Sequence, residues 1–387
     1  MRGDFTVEGP VLLPGGTVRR GLVTASGERL TAVTPSQGGQ SENIHRLSPG
    51  HVLIPGLVDL HMHGGQGTDA AATSGDVWSA LSRYAASCGA TTVVPALVSS
   101  GEQGTLGFLE RARLIPDDPG GARIPGVHLE GPFLSPRRRG AHCPGSLRDP
   151  SLPEVRRWLA AAGGRLCMVT LAPELPGAPA VIRVLSEAGV LVAAGHTDAS
   201  LPAMMGAFDA GVRHVVHLFN AMAPIHHRDP GPAVAALMRN GVTCELIPDG
   251  EHLDGTMIEL VSRCKAAMEI CLVTDSIAAA GLGDGTYTLG RMTVEVAGGR
   301  ARCPDGTLAG STLTPAGALR AAGQGLGWSL GRAVSALSTV PARILGLPAG
   351  EISPGKRADL VVLDSGWNPV ATIVGGRLVY GHLPEGG

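Results

Sequence analysis

Lysine is almost missing from this chain. Of 31 basic residues only two are lysines, Lys265 and Lys356, and basic and acidic residues nearly balance at a formal net charge of −2. Such a balance gives no overall attraction for nucleic acid or for an anionic membrane, so an anionic ligand must be held by local groups. Aromatic residues make up only 3% of the chain, which disfavours the stacking surfaces that bind bases. The composition therefore argues against nucleic acid and membrane partners.

Paired cysteine motifs and long apolar runs are also lacking. The seven cysteines include no CxxC pair and form an odd set, which is typical of a reduced protein rather than of a disulfide scaffold. The first residues, MRGDFTVEGP, contain no apolar signal-peptide core, and no apolar run reaches membrane-spanning length. We therefore expect a soluble, cytoplasmic protein.

Hydrophobic residues, in contrast, make up 44% of the 387 residues, enough for a large core. Eight short apolar segments alternate with stretches of helical spacing. This alternation predicts a (β/α)₈ barrel over residues 56–344; a doubly wound open sheet is the alternative, but it does not explain where the polar residues fall. The predicted strands cover residues 56–63, 90–97, 124–131, 166–173, 191–196, 214–219, 243–248 and 269–275.

The two ends of the chain have a different pattern. Residues 1–55 and 345–387 are rich in Gly, Pro and β-branched residues and show short alternations such as LVTASGERLTAV and ADLVVLD. We expect both ends to combine into one small β-sandwich domain beside the barrel.

Metal-competent side chains occur at the end of five of the predicted barrel strands. Barrel enzymes place their chemistry at the carboxyl ends of the strands, so these side chains should converge there. Imidazole and carboxylate together suit a divalent cation. The sequence therefore predicts a metal site formed by His61, His63, Glu130, His196, His217 and Asp275.

Several longer segments carry a resemblance to a known family. The chain closely resembles the N-acetylglucosamine-6-phosphate deacetylases of the amidohydrolase superfamily, from about residue 50 to the C-terminus. The segments PGLVDLHMHG and PGKRADLVVLD are shared widely in that superfamily, whereas HLEGPF, HLFNAM, HHRDPG and DGEHLDG are more specific to the deacetylases. The resemblance implies metal-dependent hydrolysis of N-acetylglucosamine 6-phosphate to glucosamine 6-phosphate and acetate.

The same resemblance implies the roles of individual residues. Glu130, His196 and His217 bind metal, and the retained His61 and His63 allow a second ion, so one or two ions are expected; zinc suits these ligands best, with iron, cobalt or manganese as alternatives. Asp275 acts as the general base and then as the general acid, and His142 stabilises the oxyanion.

The resemblance also implies the substrate contacts and a homodimer. Arg228 binds the phosphate, and His252 matches a residue inserted from the neighbouring subunit, which implies a homodimer with shared active sites. The remaining substrate-binding positions are Ala141, Asn220, Ala221 and Leu308.

The two lysines separate this chain from related enzymes. Many two-metal amidohydrolases, such as dihydroorotases, bridge their metals with a carboxylated lysine on a barrel strand. Lys265 is predicted in the helix before the eighth strand, and Lys356 in the terminal β segment. Neither can bridge, whereas Glu130 can. Two alternatives stay open at this point: another amidohydrolase acting on N-acyl amino acids or cyclic amides, and a barrel that lost catalysis and serves as a scaffold.

Overall fold

The computed structural model describes residues 4–36, 44–118 and 120–384. The strands, numbered along the chain, are β1 (Phe5–Leu12), β2 (Val18–Ser26), β3 (Arg29–Pro35), β4 (Ile44–Arg46), β5 (Val52–Pro55), β6 (Leu57–Met62), β7 (Gly64–Gly65), β8 (Thr68–Asp69), β9 (Ala90–Val98), β10 (Val127–Glu130), β11 (Leu166–Leu171), β12 (Leu191–Ala194), β13 (His214–Val215), β14 (Thr243–Leu246), β15 (Ile270–Leu272), β16 (Gly285–Leu289), β17 (Met292–Ala297), β18 (Arg300–Arg302), β19 (Leu360–Leu363), β20 (Pro369–Val374) and β21 (Arg377–Gly381). The α-helices are α1 (Val77–Ser87), α2 (Glu102–Ala112), α3 (Leu152–Ala162), α4 (Ala178–Glu187), α5 (Leu201–Ala210), α6 (Gly231–Met238), α7 (Gly255–Cys264), α8 (Pro315–Arg320), α9 (Leu330–Val334) and α10 (Val340–Ile344).

Eight parallel strands form the barrel, and each pairs with the next one along the chain. Their order is β6, β9, β10, β11, β12, β13, β14 and β15. The segment after β15 returns to β6, since Ser276 bridges Met62 and the Asp275 amide donates to the His61 carbonyl at 2.9 Å. The predicted (β/α)₈ fold is therefore confirmed, and the open-sheet alternative does not apply.

Helices cover the outside of the barrel because each has one apolar face. In α1 the buried residues include Leu81 and Tyr84, and the Asp76 side chain caps the first turn by accepting from the Ser79 amide. Trp158 of α3 stacks on Phe133 with ring centroids 4.8 Å apart. No helix in the described part of the chain is both long and apolar enough to cross a bilayer.

The two chain ends form one eight-stranded sheet that includes β1–β5 and β19–β21. This sheet curls, since Arg29 at the start of β3 bridges Arg357 just before β19. It encloses its own hydrophobic cluster, which includes Val7, Leu53 and Ile373. The domain boundaries near residues 55 and 345 stay a prediction from the sequence.

A small antiparallel sheet of β16–β18 lies after the eighth barrel strand, and the sequence interpretation above did not identify it. Its alternation of exposed and buried residues in β17, with glycines at the turns, is the usual hairpin signal. Its buried side chains pack on Val98 and Ile277 at the carboxyl end of the barrel, and Leu289 lines the cavity there. This sheet therefore forms one wall of the site described below.

Candidate metal centre

The structure brings six metal-competent side chains together at the carboxyl end of the barrel. Each belongs to the end of a barrel strand or to the first residues after it, because successive parallel strands all end on the same rim. All six are at most 6% exposed. They are His61, His63, Glu130, His196, His217 and Asp275.

Three of these residues leave their strands with unusual backbone angles. His196, His217 and Asp275 have φ values of 47°, 28° and 49°, in a region that L-residues with side chains rarely adopt. Such conformations cost free energy and persist only where the surrounding structure holds them, most often at functional sites. The backbone here turns sharply so that the side chains point into the barrel mouth.

One group of ligands gathers around Glu130. Its Oε1 lies 3.1 Å from Nε2 of His196 and 2.9 Å from Nε2 of His217. The two imidazole nitrogens are 3.1 Å apart. Two nitrogens and one carboxylate oxygen thus face one point.

A second group lies beside the first. Nε2 of His61 is 3.2 Å from Nε2 of His63, and Oδ1 of Asp275 is 3.2 Å from Nε2 of His63. Glu130 reaches this group too, because its Oε2 is 3.2 Å from Nε2 of His63. Glu130 therefore lies between the two groups and contacts both.

The hydrogen-bond partner of Nδ1 decides which ring nitrogen of each imidazole carries the proton. Nδ1 of His61 faces a carboxylate oxygen of Glu245 at 3.0 Å, Nδ1 of His63 faces the Ala96 carbonyl at 3.2 Å, and Nδ1 of His196 faces the Arg138 carbonyl at 3.0 Å. Since these oxygens only accept, the proton lies on Nδ1 and the Nε2 lone pair points into the site. Converging lone pairs next to carboxylates are the donor set that a divalent cation needs, so the residues fit a metal.

His142 has the opposite arrangement. Its Nδ1 accepts from the backbone N–H of Ser99 at 3.1 Å, so a neutral His142 carries its proton on Nε2. That N–H points at Oε2 of Glu130, 3.2 Å away. His142 thus lies among the ligands but offers a donor, which suits a developing oxyanion and not a metal.

The charges of the site favour a cation. Burial lowers the pKa of His63, but Asp275 and Glu130 outweigh burial and raise that pKa to about 9, so Nε2 of His63 favours a positive charge, either a proton or a cation that replaces it. Burial lowers the pKa of His196 to about 4, together with the nearby His142. The carboxylates therefore attract positive charge to this rim, and no lysine or arginine side chain forms an ion pair with Glu130 or Asp275 within the described residues.

A cavity of about 280 Å³ opens above these ligands. His63, Glu130, His196, His217 and Asp275 line its floor, and His61 lies beneath them with no exposed surface. The predicted substrate-binding residues Ala141, His142, Asn220, Ala221, His252 and Leu308 line its walls. A larger cavity of about 370 Å³ lies next to the terminal sheet, but its ionisable lining residues are only Arg332 and Glu351.

Two predicted substrate contacts are placed differently from the expectation. His252 lines the cavity of its own chain, with Nε2 4.0 Å from Oδ2 of Asp275 and Nδ1 2.7 Å from Asp249. The expectation that a neighbouring subunit supplies His252 is therefore wrong for this residue, because its own loop already brings it there. Arg228 does not line this cavity; it is exposed, and its guanidinium donates to His227 at 2.7 Å.

Lys265 also has the structural place that its sequence position predicts. It directly follows α7, and its ammonium donates to the carbonyls of Ala236 and Arg239, at 3.3 and 2.7 Å. Lys265 therefore lies away from the six metal-competent side chains, as its sequence position predicts.

Sequence reasoning missed the residues that hold the histidines of the site in place. Glu245 contacts His61, Ser99 contacts His142, and Asp249 contacts His252. The signal for Glu245 was present, since a single carboxylate interrupts an apolar strand and a buried charge needs a partner. Ser99 contacts Nδ1 of His142 through its backbone amide at 3.1 Å and through its hydroxyl oxygen at 2.8 Å, and a single serine at a strand end gives no comparable signal.

A barrel with histidines and carboxylates at this rim defines a metal-dependent hydrolase of the amidohydrolase type. Residues 52–379 match the Amidohydrolase family, and the chain belongs to it. It is similar to the N-acetylglucosamine-6-phosphate deacetylase of Bacillus subtilis (strain 168), with 33% identity over 94% of this chain and 93% of the relative. It is also similar to the N-acetylgalactosamine-6-phosphate deacetylase of Escherichia coli O157:H7, with 37% identity over 84% of this chain and 87% of the relative.

The solved structures agree with this family. The D267A mutant of N-acetyl-D-glucosamine-6-phosphate deacetylase from Mycobacterium smegmatis, in complex with N-acetyl-D-glucosamine-6-phosphate, superposes with a TM-score of 0.91 at 37% identity. The match covers 97% of this chain and 99% of that one. The likeness therefore extends over both the barrel and the terminal sheet.

Proposed function

We propose that this protein hydrolyses the acetamide of N-acetylglucosamine 6-phosphate, releasing glucosamine 6-phosphate and acetate. One observation carries the proposal. The Nε2 lone pairs of His61, His63 and His196 converge in the site, whereas His142 beside them carries its proton on Nε2. An amide hydrolase needs both kinds of group: ligands for a Lewis acid and a donor for the oxyanion. The named activities of similar chains supply the substrate class.

Two metal positions are available for this reaction. His61, His63 and Asp275 would hold one ion, His196 and His217 the other, and Glu130 would bridge them. A divalent cation bound there polarises a carbonyl and lowers the pKa of water. Zinc suits the imidazole and carboxylate ligands best, with iron, cobalt and manganese as alternatives.

Asp275 is the proton carrier in this proposal. It lies at the cavity floor beside His63, and although burial raises its pKa, the charges of His61 and His63 lower that pKa below its usual value. Asp275 is therefore ionised and able to accept a proton from the attacking water and to pass it to the leaving amine. His142 donates its Nε2–H to the carbonyl oxygen as negative charge develops.

The phosphate end of the substrate depends on Arg228. A guanidinium matches phosphate oxygens, and this arginine has no carboxylate partner among the ion pairs of the described residues. Because Arg228 lies outside the cavity of its own chain, we propose that it reaches the site of a second subunit in a homodimer. The sugar in each cavity is contacted by residues of the chain that forms that cavity, namely Asn220, Ala221, Leu308 and His252.

The seven free thiols fit the cytoplasmic location expected from the sequence.

A substrate panel tests this proposal. Acetate release is measured from N-acetylglucosamine 6-phosphate, its galactose epimer and free N-acetylglucosamine, for the wild-type protein and for Arg228→Ala. We expect the 6-phosphates to be preferred, and Arg228→Ala to raise KM for them by about 10- to 100-fold, since a charge-assisted hydrogen bond is lost.

The control in this panel is free N-acetylglucosamine, whose KM should not change in Arg228→Ala. Equal kcat/KM for the free sugar and its 6-phosphate in the wild-type protein would overturn the substrate assignment. Preference for the galactose epimer would keep the reaction and change the sugar.

A further inference from the structure

Glu245 is a buried carboxylate that the proposed reaction does not use. It belongs to β14, where its neighbours Cys244 and Leu246 pack in the core between the barrel and the helices. Glu245 has no exposed surface and does not line the substrate cavity. Burying a charge of this kind destabilises the fold unless its partners compensate, so its contacts should explain its presence.

The Glu245 carboxylate accepts from N–H groups of two metal-centre residues, His61 and His217, and of His214 below them. Oε2 lies 3.0 Å from Nδ1 of His61, and Oε1 lies 2.8 Å from Nε2 of His214. The backbone N–H of His217 also donates to Oε2, at 3.4 Å. His214 is held on its other side by the hydroxyl of Thr243, 2.6 Å from Nδ1.

These contacts fix the ring of His61 in one tautomer and one orientation. An ionised carboxylate only accepts hydrogen bonds, so Nδ1 of His61 must carry the proton. The lone pair on Nε2 of His61 is then directed at Glu130 and Asp275, whose nearest oxygens are each 3.6 Å away.

The influence of Glu245 on the two metal positions is unequal. Among the described residues, the Glu245 carboxylate contacts the side chain of one proposed ligand, His61, which belongs to the position formed with His63 and Asp275. At the other position its contact is with the backbone of His217, and the ring of His196 is held independently by the Arg138 carbonyl.

We propose that Glu245 is a positioning residue that sets the affinity of the metal position formed by His61, His63 and Asp275, and that the other position does not depend on it. This inference rests on the proposed function, since it requires two ions per subunit. A carboxylate behind a ligating histidine typically changes metal affinity by about 10- to 100-fold.

The test compares Glu245→Gln with Glu154→Gln. Glu154 is also a buried glutamate, but it lies on α3 and pairs with Arg148. Each folded protein is loaded with Zn²⁺, dialysed against a chelator series, and its zinc content per subunit is measured. We expect Glu245→Gln to retain one ion with wild-type affinity and to hold the other about 10- to 100-fold more weakly, as His61→Asn should do by removing the ligand itself. Glu154→Gln should match the wild type.

Other zinc contents or affinities would overturn either the proposed function or this inference. Wild-type protein that holds fewer than two ions would overturn the two-metal part of the proposed function. Two ions bound with unchanged affinity in Glu245→Gln, or equal weakening of both, would overturn this inference alone. If Glu245→Gln does not fold, His214→Gln keeps the carboxylate and loosens it, and unchanged affinity of both ions in that variant would likewise overturn the inference.

Discussion

Buried carboxylates occur in both parts of this chain, and they have different partners in each. In the terminal sheet Glu8 is 3% exposed and pairs with Arg20 and Arg46, at 3.0 and 3.1 Å. At the barrel rim Glu130 is equally buried, and its ion-pair partners are all histidines.

This difference separates a structural charge from a functional one. Arginine is always protonated and offers no lone pair, so Glu8 is neutralised within the protein. Histidine can give a lone pair to a metal, so Glu130 and its neighbours can share one cation. The type of partner, and not burial itself, therefore distinguishes a carboxylate that belongs to or supports the metal centre from one that only holds the fold.

Replacement of Asp275 should have the largest effect at the rim. Asp275→Asn removes the proton carrier while keeping the shape of the side chain, so we expect kcat for acetate release to fall by about 10²- to 10⁴-fold. Glu8→Gln, the same chemical change in the terminal sheet, should leave kcat unchanged. Substantial turnover by Asp275→Asn would remove the aspartate from the mechanism.

Replacement of His142 should sharpen the distinction between ligands and donors. Because its Nε2 carries the proton, His142→Ala should lower kcat by about 10²- to 10³-fold without changing the metal content. The measurement is a parallel determination of kcat and bound zinc. A loss of bound metal in this variant would show that His142 is a ligand and that its tautomer is assigned wrongly.

The smallest effect should come from Glu8 and should appear in stability. The hydrogen bond from Ser36 and the charges of Arg20 and Arg46 lower the pKa of Glu8 below its value of 4.5, against burial, which raises it. Its folded pKa is thus below its unfolded pKa, so ionised Glu8 stabilises the fold above the unfolded pKa, and this stabilisation is lost as pH falls through the folded pKa.

Urea unfolding of Glu8→Gln measures that contribution. At pH 7 the variant should be less stable by about 1 kcal/mol, since the arginines are partly exposed and screened by solvent. The difference from the wild type should shrink as the pH falls below 4.5. A difference that stays constant down to pH 3 would contradict the ionic origin of the effect.

The barrel was predictable because its signals are local and repeated. Each strand is a short apolar run, and the polar residue at its end is visible in the sequence, as with His196 after β12. The eight strands and the convergence of the six ligands follow from this pattern and from the common rim of parallel strands.

Contacts between distant residues were not predictable. The pairing of Ser99 with His142 joins residues 43 positions apart through the amide and the hydroxyl of Ser99, and nothing in the local sequence of either residue indicates that they meet. The position of His252 in its own cavity depends on the loop after β14, held by Asp249. Sequence similarity identified His252 but assigned it to the neighbouring subunit, whereas its own chain places it in the cavity.

Metal dependence tests most directly whether the histidines and carboxylates of the barrel rim, unlike Glu8 in the terminal sheet, act through a bound cation. The protein is stripped with a chelator, and acetate release from N-acetylglucosamine 6-phosphate is followed as Zn²⁺ is returned stepwise. We expect activity to fall by at least about 100-fold and to return with one or two ions per subunit, while the apo protein keeps its fold. Full activity in protein shown to contain no metal would contradict the account.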